Sequence, residues 1–127
     1  PDMDIPGILA GPRDQLGERL VRYILDLWDR PDVRRRGLVV LRTAIGNKAA
    51  TPLLAGFLSR ELLGKLAAAT DAADPAEGEF RAALVGTQIA GILMARYVLQ
   101  LRAMVDASPD AIVEMVAPTI QRYLFGT

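Results

Sequence analysis

Apolar residues recur every three or four positions along most of the chain, and no stretch alternates in strand fashion between turn signals. The pattern predicts five helices and an all-α fold. The first, about 12–30, gathers Leu16, Leu20, Ile24, Leu27 and Trp28 on one face, with Glu18, Arg19, Arg22, Asp26 and Asp29 elsewhere. The second, about 31–45, carries Leu38, Leu41 and Ile45 at helical spacing and ends at Gly46-Asn47, a left-handed stop. The third, about 52–69, aligns Leu54, Leu58, Leu62 and Leu66 with Phe57 beside them. The fourth runs from about 75 to 102, about 42 Å at 1.5 Å per residue, and the fifth from about 109 to 125, stopping at Gly126.

Proline marks the starts. Pro12, Pro31, Pro52, Pro75 and Pro109 stand where helices would begin, a position that suits a residue with no N–H and a helical φ. Asp74-Pro75-Ala76-Glu77 is a variant of the capping box, Ser108-Pro109-Asp110 puts a hydroxyl at the cap, and Thr51-Pro52 is a third such start.

The fourth helix is apolar nearly all round. Arg81, Gln88, Arg96 and Gln100 gather within about 120° of its circumference, and even that sector shares its space with Val85, Ile89, Ile92 and Leu99. Such a helix is buried on more than one side. Either it is the central post of a monomeric bundle, or one face packs on the chain's own core while the other meets a second copy. Gly86, Ala90 and Gly91, with Ala83 and Ala95, would let another helix approach closely. In the fifth helix Ile112, Val113, Val116, Ala117, Ile120, Tyr123 and Leu124 form a broad apolar stripe opposite Asp110, Glu114 and Gln121. Pro118 inside it either bends the helix around a neighbour or ends one helix and begins another.

Composition narrows the chemistry. The 127 residues suit one domain, and fifteen basic residues balance fifteen acidic ones, which argues against gripping nucleic acid or an anionic membrane by bulk charge. There is neither cysteine nor histidine, which removes disulfides, thiolate and imidazole catalysis and nearly every transition-metal site. The acids fall mainly at helix starts or on polar faces, phosphate-loop spacings are absent, and Arg34-Arg35-Arg36 reads as a solvated face more readily than as a phosphate contact. The expectation is a non-enzyme with no cofactor, no metal and no catalytic residue. The uncharged run Ala82 to Ala95 is shorter than the roughly twenty residues of a membrane span, and no signal-peptide core opens the chain. A soluble, cytoplasmic protein is expected, and Pro1 in place of an initiator Met suggests processing or a piece of something longer.

The stretch from Ala82 to Leu101, AALVGTQIAGILMARYVLQL, followed by Ser108 to Gly126, SPDAIVEMVAPTIQRYLFG, resembles the C-terminal regulatory domain of tetracycline-repressor (TetR) family transcription regulators, especially actinobacterial ones. VRRRGLVVLRTAIGN and the helix after Thr51-Pro52 are similar in order and length to the same domain. The resemblance implies a homodimer in which the helices at about 75–102 and 109–125 of each subunit form a four-helix bundle. It also implies an apolar pocket for a small effector that controls operator binding by an N-terminal helix-turn-helix domain. That domain belongs before Pro1 and is absent from this sequence, so the chain is not expected to bind an operator alone.

On this reading the chain is the effector-binding and dimerisation domain of a one-component repressor, and the rival is a helical dimerising scaffold without a ligand. The helical faces nominate Tyr23, Leu27, Trp28, Leu41, Ile45, Phe57, Leu58, Gln88 and Ile92 as pocket lining, Gln88 being the one uncharged amide amid aliphatic neighbours. The expected dimer face is Leu84, Thr87, Gly91, Met94, Val98, Val113, Val116, Ile120 and Tyr123.

Overall fold

A computed structural model describes residues 5–126, and side chains from Gly7 onward. The described residues are helical, without strands: α1 (Ile5–Leu9), a 3-10 turn (Arg13–Gln15), α2 (Leu16–Trp28), α3 (Pro31–Gly46), α4 (Ala50–Phe57), a π turn (Leu58–Leu63), α5 (Gly64–Ala69), α6 (Pro75–Leu93), a second π turn (Met94–Val98), α7 (Arg102–Asp106) and α8 (Pro109–Phe125). The all-α expectation holds. No described helix is long and apolar enough to cross a membrane.

Local capping explains the sharpest boundaries. Asp74 accepts from the Glu77 amide at 2.9 Å and Ser108 from the Ala111 amide at 3.1 Å, each with a proline at the next position. Gly126 closes α8 in the left-handed region at φ 82°, its amide donating to the Arg122 carbonyl at 2.7 Å.

Other boundaries differ from the sequence reading. Pro12 is extended and precedes the 3-10 turn, so α2 begins at Leu16. Asn47 is extended rather than left-handed, and its Oδ1 accepts from the amides of Ala49 and Ala50 at 2.9 and 3.3 Å. It thereby starts α4 before Thr51, whose hydroxyl donates back to the carbonyls of Ala44 and Asn47 instead of capping. The predicted third helix is interrupted by its π turn. The predicted fourth helix ends early: the Leu99 amide donates to Met94 O and the Leu101 amide to Ala95 O, with Gln100 between them at φ 53°. α8 runs through Pro118 as one helix, so the alternative of two helices does not form.

The core lies where α8 crosses α2 and α6. Leu16, Val21 and Leu25 of α2 meet Ile112, Val113, Ile120 and Leu124 of α8, with Ala82, Val85 and Ile92 of α6 closing the other side. Gly17 lets the two backbones approach, because a Cβ there would stand 2.7 Å from the Ala117 carbonyl oxygen. Its amide, in the first turn where no intrahelical acceptor exists, donates to Gln121 Oε1 at 2.9 Å, while Gln121 Nε2 donates to the Arg13 carbonyl at 2.7 Å.

Candidate functional site

The nine positions nominated as pocket lining fall into different environments. Ile92 is buried in the core, and Tyr23 packs against the core from its edge. Leu27, Trp28, Leu41, Leu58 and Gln88 are half-buried. Ile45 and Phe57 are 72% and 49% exposed, so these two are surface positions in this chain rather than walls of an enclosed cavity. The reason is the thin anchoring of the second and third predicted helices. α3 buries only Val33 and Ala44, and α4 buries nothing. An open cleft of about 560 Å³ between α2 and α8 is lined by Asp14, Glu18, Arg22, Asp110, Glu114 and Gln121 among others, and none of the nominated pocket positions lines it.

Trp28 is the best-defined member of the set. α3 crosses it at Gly37, where a Cβ would meet the indole at 2.5 Å, and the Tyr97 ring lies 5.6 Å away on a tilt of 34°. This contact opens onto a polar hub that the sequence reading did not assemble. Tyr97 is buried, and its hydroxyl donates to Asp29 Oδ1 at 2.7 Å. Burial first, and then that hydrogen bond, pushes the phenol up to about 12. Arg96 Nε stands 3.6 Å from the same carboxylate oxygen, and its Nη1 donates to the carbonyls of Met104 and Ala107 at 2.6 and 2.9 Å. Arg34 donates from α3 to the carbonyls of Trp28 and Asp29 at 3.2 and 3.3 Å, closing the end of α2. The hub therefore joins α2, α3, the end of α6 and the α7 segment. The signal in the sequence was the lone Arg96 after fourteen uncharged residues, beside a tyrosine.

The nominated dimer positions also separate. Thr87, Gly91 and Val98 are exposed; a Cβ on Gly91 would meet nothing within 4 Å, and the Thr87 hydroxyl is turned back to the Leu84 carbonyl at 2.6 Å. Leu84, Met94, Val116 and Tyr123 are half-buried. Val113 and Ile120, at 3% and 0% exposure, belong to the chain's own core and have no surface to offer a second copy. Helix α8 directs them onto α2, and Met115, 77% exposed, marks its outer side.

The first described segment is fastened to this body. Arg19 donates to the carbonyls of Ile8 and Pro12 at 2.9 and 2.6 Å, and Arg13 pairs with Asp71 at 2.6 Å while lying over the Phe125 ring. Among the described residues no group of three or more potential acidic, histidine or cysteine ligands converges on a metal position.

In comparisons with known proteins, residues 14–124 match the family model described as "Tetracyclin repressor-like, C-terminal domain". No curated protein and no solved structure matches the chain.

Proposed function

Because the chain belongs to the tetracycline repressor-like C-terminal domain family, we propose that it is the effector-sensing and dimerising part of a one-component transcriptional repressor. The observation that carries this reading is the family match over residues 14–124, nearly the whole chain. DNA binding is assigned to a helix-turn-helix domain of the same regulator, in keeping with the balanced charge of this chain.

Two faces divide the work. The outer face of α6 and its π turn, through Phe80, Ala83, Thr87, Ala90, Gly91 and Val98, is exposed and free of charge, which suits a second copy laid against it. The effector enters on the other side, between the α3–α4 hairpin and the half-buried Trp28, Leu41, Leu58 and Gln88. Binding there bears on the Asp29–Tyr97–Arg96 hub, which joins the hairpin to the end of the dimerising helix. The ligand must favour the conformation that releases DNA, and a coupling of about 1–3 kcal/mol is usual for such switches.

Trp28 is the sole tryptophan, so its emission reports on this side of the molecule. A ligand screen read by Trp28 emission and thermal shift tests the proposal. A compound at 100 times its dissociation constant adds about 2.7 kcal/mol of stability. Hits that raise the melting temperature without moving Trp28 emission would contradict the assigned site.

A further inference from the structure

The hydrophobic core skips one stretch of the chain. The side chains that form it, and those packed against its edge, come from residues up to Leu25 and from Leu63 onward, and none comes from α3 or α4. Over 16 residues α3 buries only Val33 and Ala44, and the 8 residues of α4 bury none, whereas the 13 residues of α2 bury Leu16, Gly17, Val21, Ile24 and Leu25. Leu38, Leu41 and Leu54 are half-buried, while Val39, Val40, Ile45, Leu53 and Phe57 are exposed, so the hairpin holds little hydrocarbon against the body.

Its hydrogen bonds tie it mainly to itself. The Thr51 hydroxyl donates to the Ala44 carbonyl, and Asn47 Oδ1 accepts from the Ala49 and Ala50 amides, which joins α3 to α4. The Arg34 bonds to the carbonyls of Trp28 and Asp29 lie at the first turn of α3, next to where the hairpin is rooted. Each root has conformational slack. Arg30 is extended between α2 and α3, at φ −76° and ψ 123°, and the π turn Leu58–Leu63 separates α4 from the point at which Leu63 rejoins the core. The closest fit between hairpin and body is at Gly37, where a Cβ would stand 2.5 Å from the indole of Trp28.

A unit bonded within itself, rooted in two slack joints and absent from the core opens at lower cost than the fold around it. We infer that residues 31–57 are a lid over Trp28. The hairpin detaches as one piece about Arg30 and the π turn, while α2, α6 and α8 stay packed, and Gly37 against the indole is its latch. Helices of 16 and 8 residues are marginal once free in water, so detachment exposes their amides as well as Trp28. What the opening admits rests on the sensor reading above: it is the way by which an effector reaches Trp28. The opening itself needs no ligand.

Native-state hydrogen exchange of this chain, read by mass spectrometry, tests the lid. The amides of the hairpin should exchange as one group, at least about tenfold faster than those of α2, α6 and α8. In a urea titration the emission of Trp28, the sole tryptophan, should shift before the bulk of the helical circular dichroism is lost. Gly37→Leu wedges the latch, so hairpin exchange should rise by about tenfold while exchange of the core helices stays within about twofold. Val39→Ser, exposed on the same helix, should move neither by more than about twofold. Hairpin amides that exchange only together with the core, or emission and circular dichroism transitions that coincide, overturn the lid. A Gly37→Leu chain that speeds every helix alike overturns Trp28 as its latch. The sensor reading is decided separately by the ligand screen: a hairpin that opens in a chain that binds nothing keeps the lid and removes that reading alone.

Discussion

Tyr97 and Asp29 lie 68 positions apart in the chain and are joined by a 2.7 Å hydrogen bond from phenol to carboxylate. The bond fixes the π turn that ends α6 to the end of α2, beside Trp28. Replacing Tyr97 with Phe should cost about 1–2 kcal/mol, because the carboxylate keeps its arginine neighbour and partial access to water. Urea denaturation at neutral pH measures it, and an unchanged midpoint would show the bond to be inconsequential.

The same phenol makes stability depend on pH at the alkaline end. Folding raises its pKa from the ordinary 10 to about 12, so the unfolded chain loses the proton first. The stabilisation is complete below pH 10 and is lost as pH rises towards 12, at no more than about 1.4 kcal/mol per pH unit. The parent should therefore lose stability more steeply over that interval than Tyr97→Phe. Parallel curves would contradict the assignment.

Gly17 is the tightest point of the α2–α8 crossing. In Gly17→Ala the new methyl would meet the Ala117 carbonyl oxygen at 2.7 Å and the Gln121 amide nitrogen at 3.1 Å, both backbone atoms that cannot swing aside. Overpacking of this kind costs about 1–3 kcal/mol, and helix propensity recovers less than that. A stabilised Gly17→Ala would mean the helices pack at a different distance.

Gln100 holds a left-handed conformation at φ 53° without being glycine. Gln100→Gly relieves a strain of about 1 kcal/mol and should raise the melting temperature by a few degrees. A fall would indicate that the entropy of glycine in the unfolded chain outweighs the relief.

The sequence carried what is local. The caps at Asp74 and Ser108 and the stop at Gly126 each depend on a few consecutive residues, and they form where the pattern places them. Thr51 failed as a cap because Asn47, four residues earlier, already satisfies the amides that begin α4. The early end of α6 was not legible: nothing between Val98 and Arg102 breaks a helix by type. The break is held by Arg96 on the Met104 and Ala107 carbonyls and by Tyr97 on a distant aspartate. Val113 and Ile120 were assigned outward because a broad apolar stripe does not say which side meets its own α2. Periodicity likewise put Ile45 and Phe57 on apolar faces without saying what covers them.

The proposed dimer face on α6 is best probed at Thr87 and Gly91, which are exposed, with nothing within 4 Å of a Cβ added to Gly91. Native mass spectrometry at micromolar concentration should find the parent at twice its 13.7 kDa chain mass. The double variant Thr87→Arg, Gly91→Arg should appear as single chains with the parent's helical circular dichroism. A parent that is monomeric, or a variant that stays paired, would contradict the proposal that this face joins two copies of the domain.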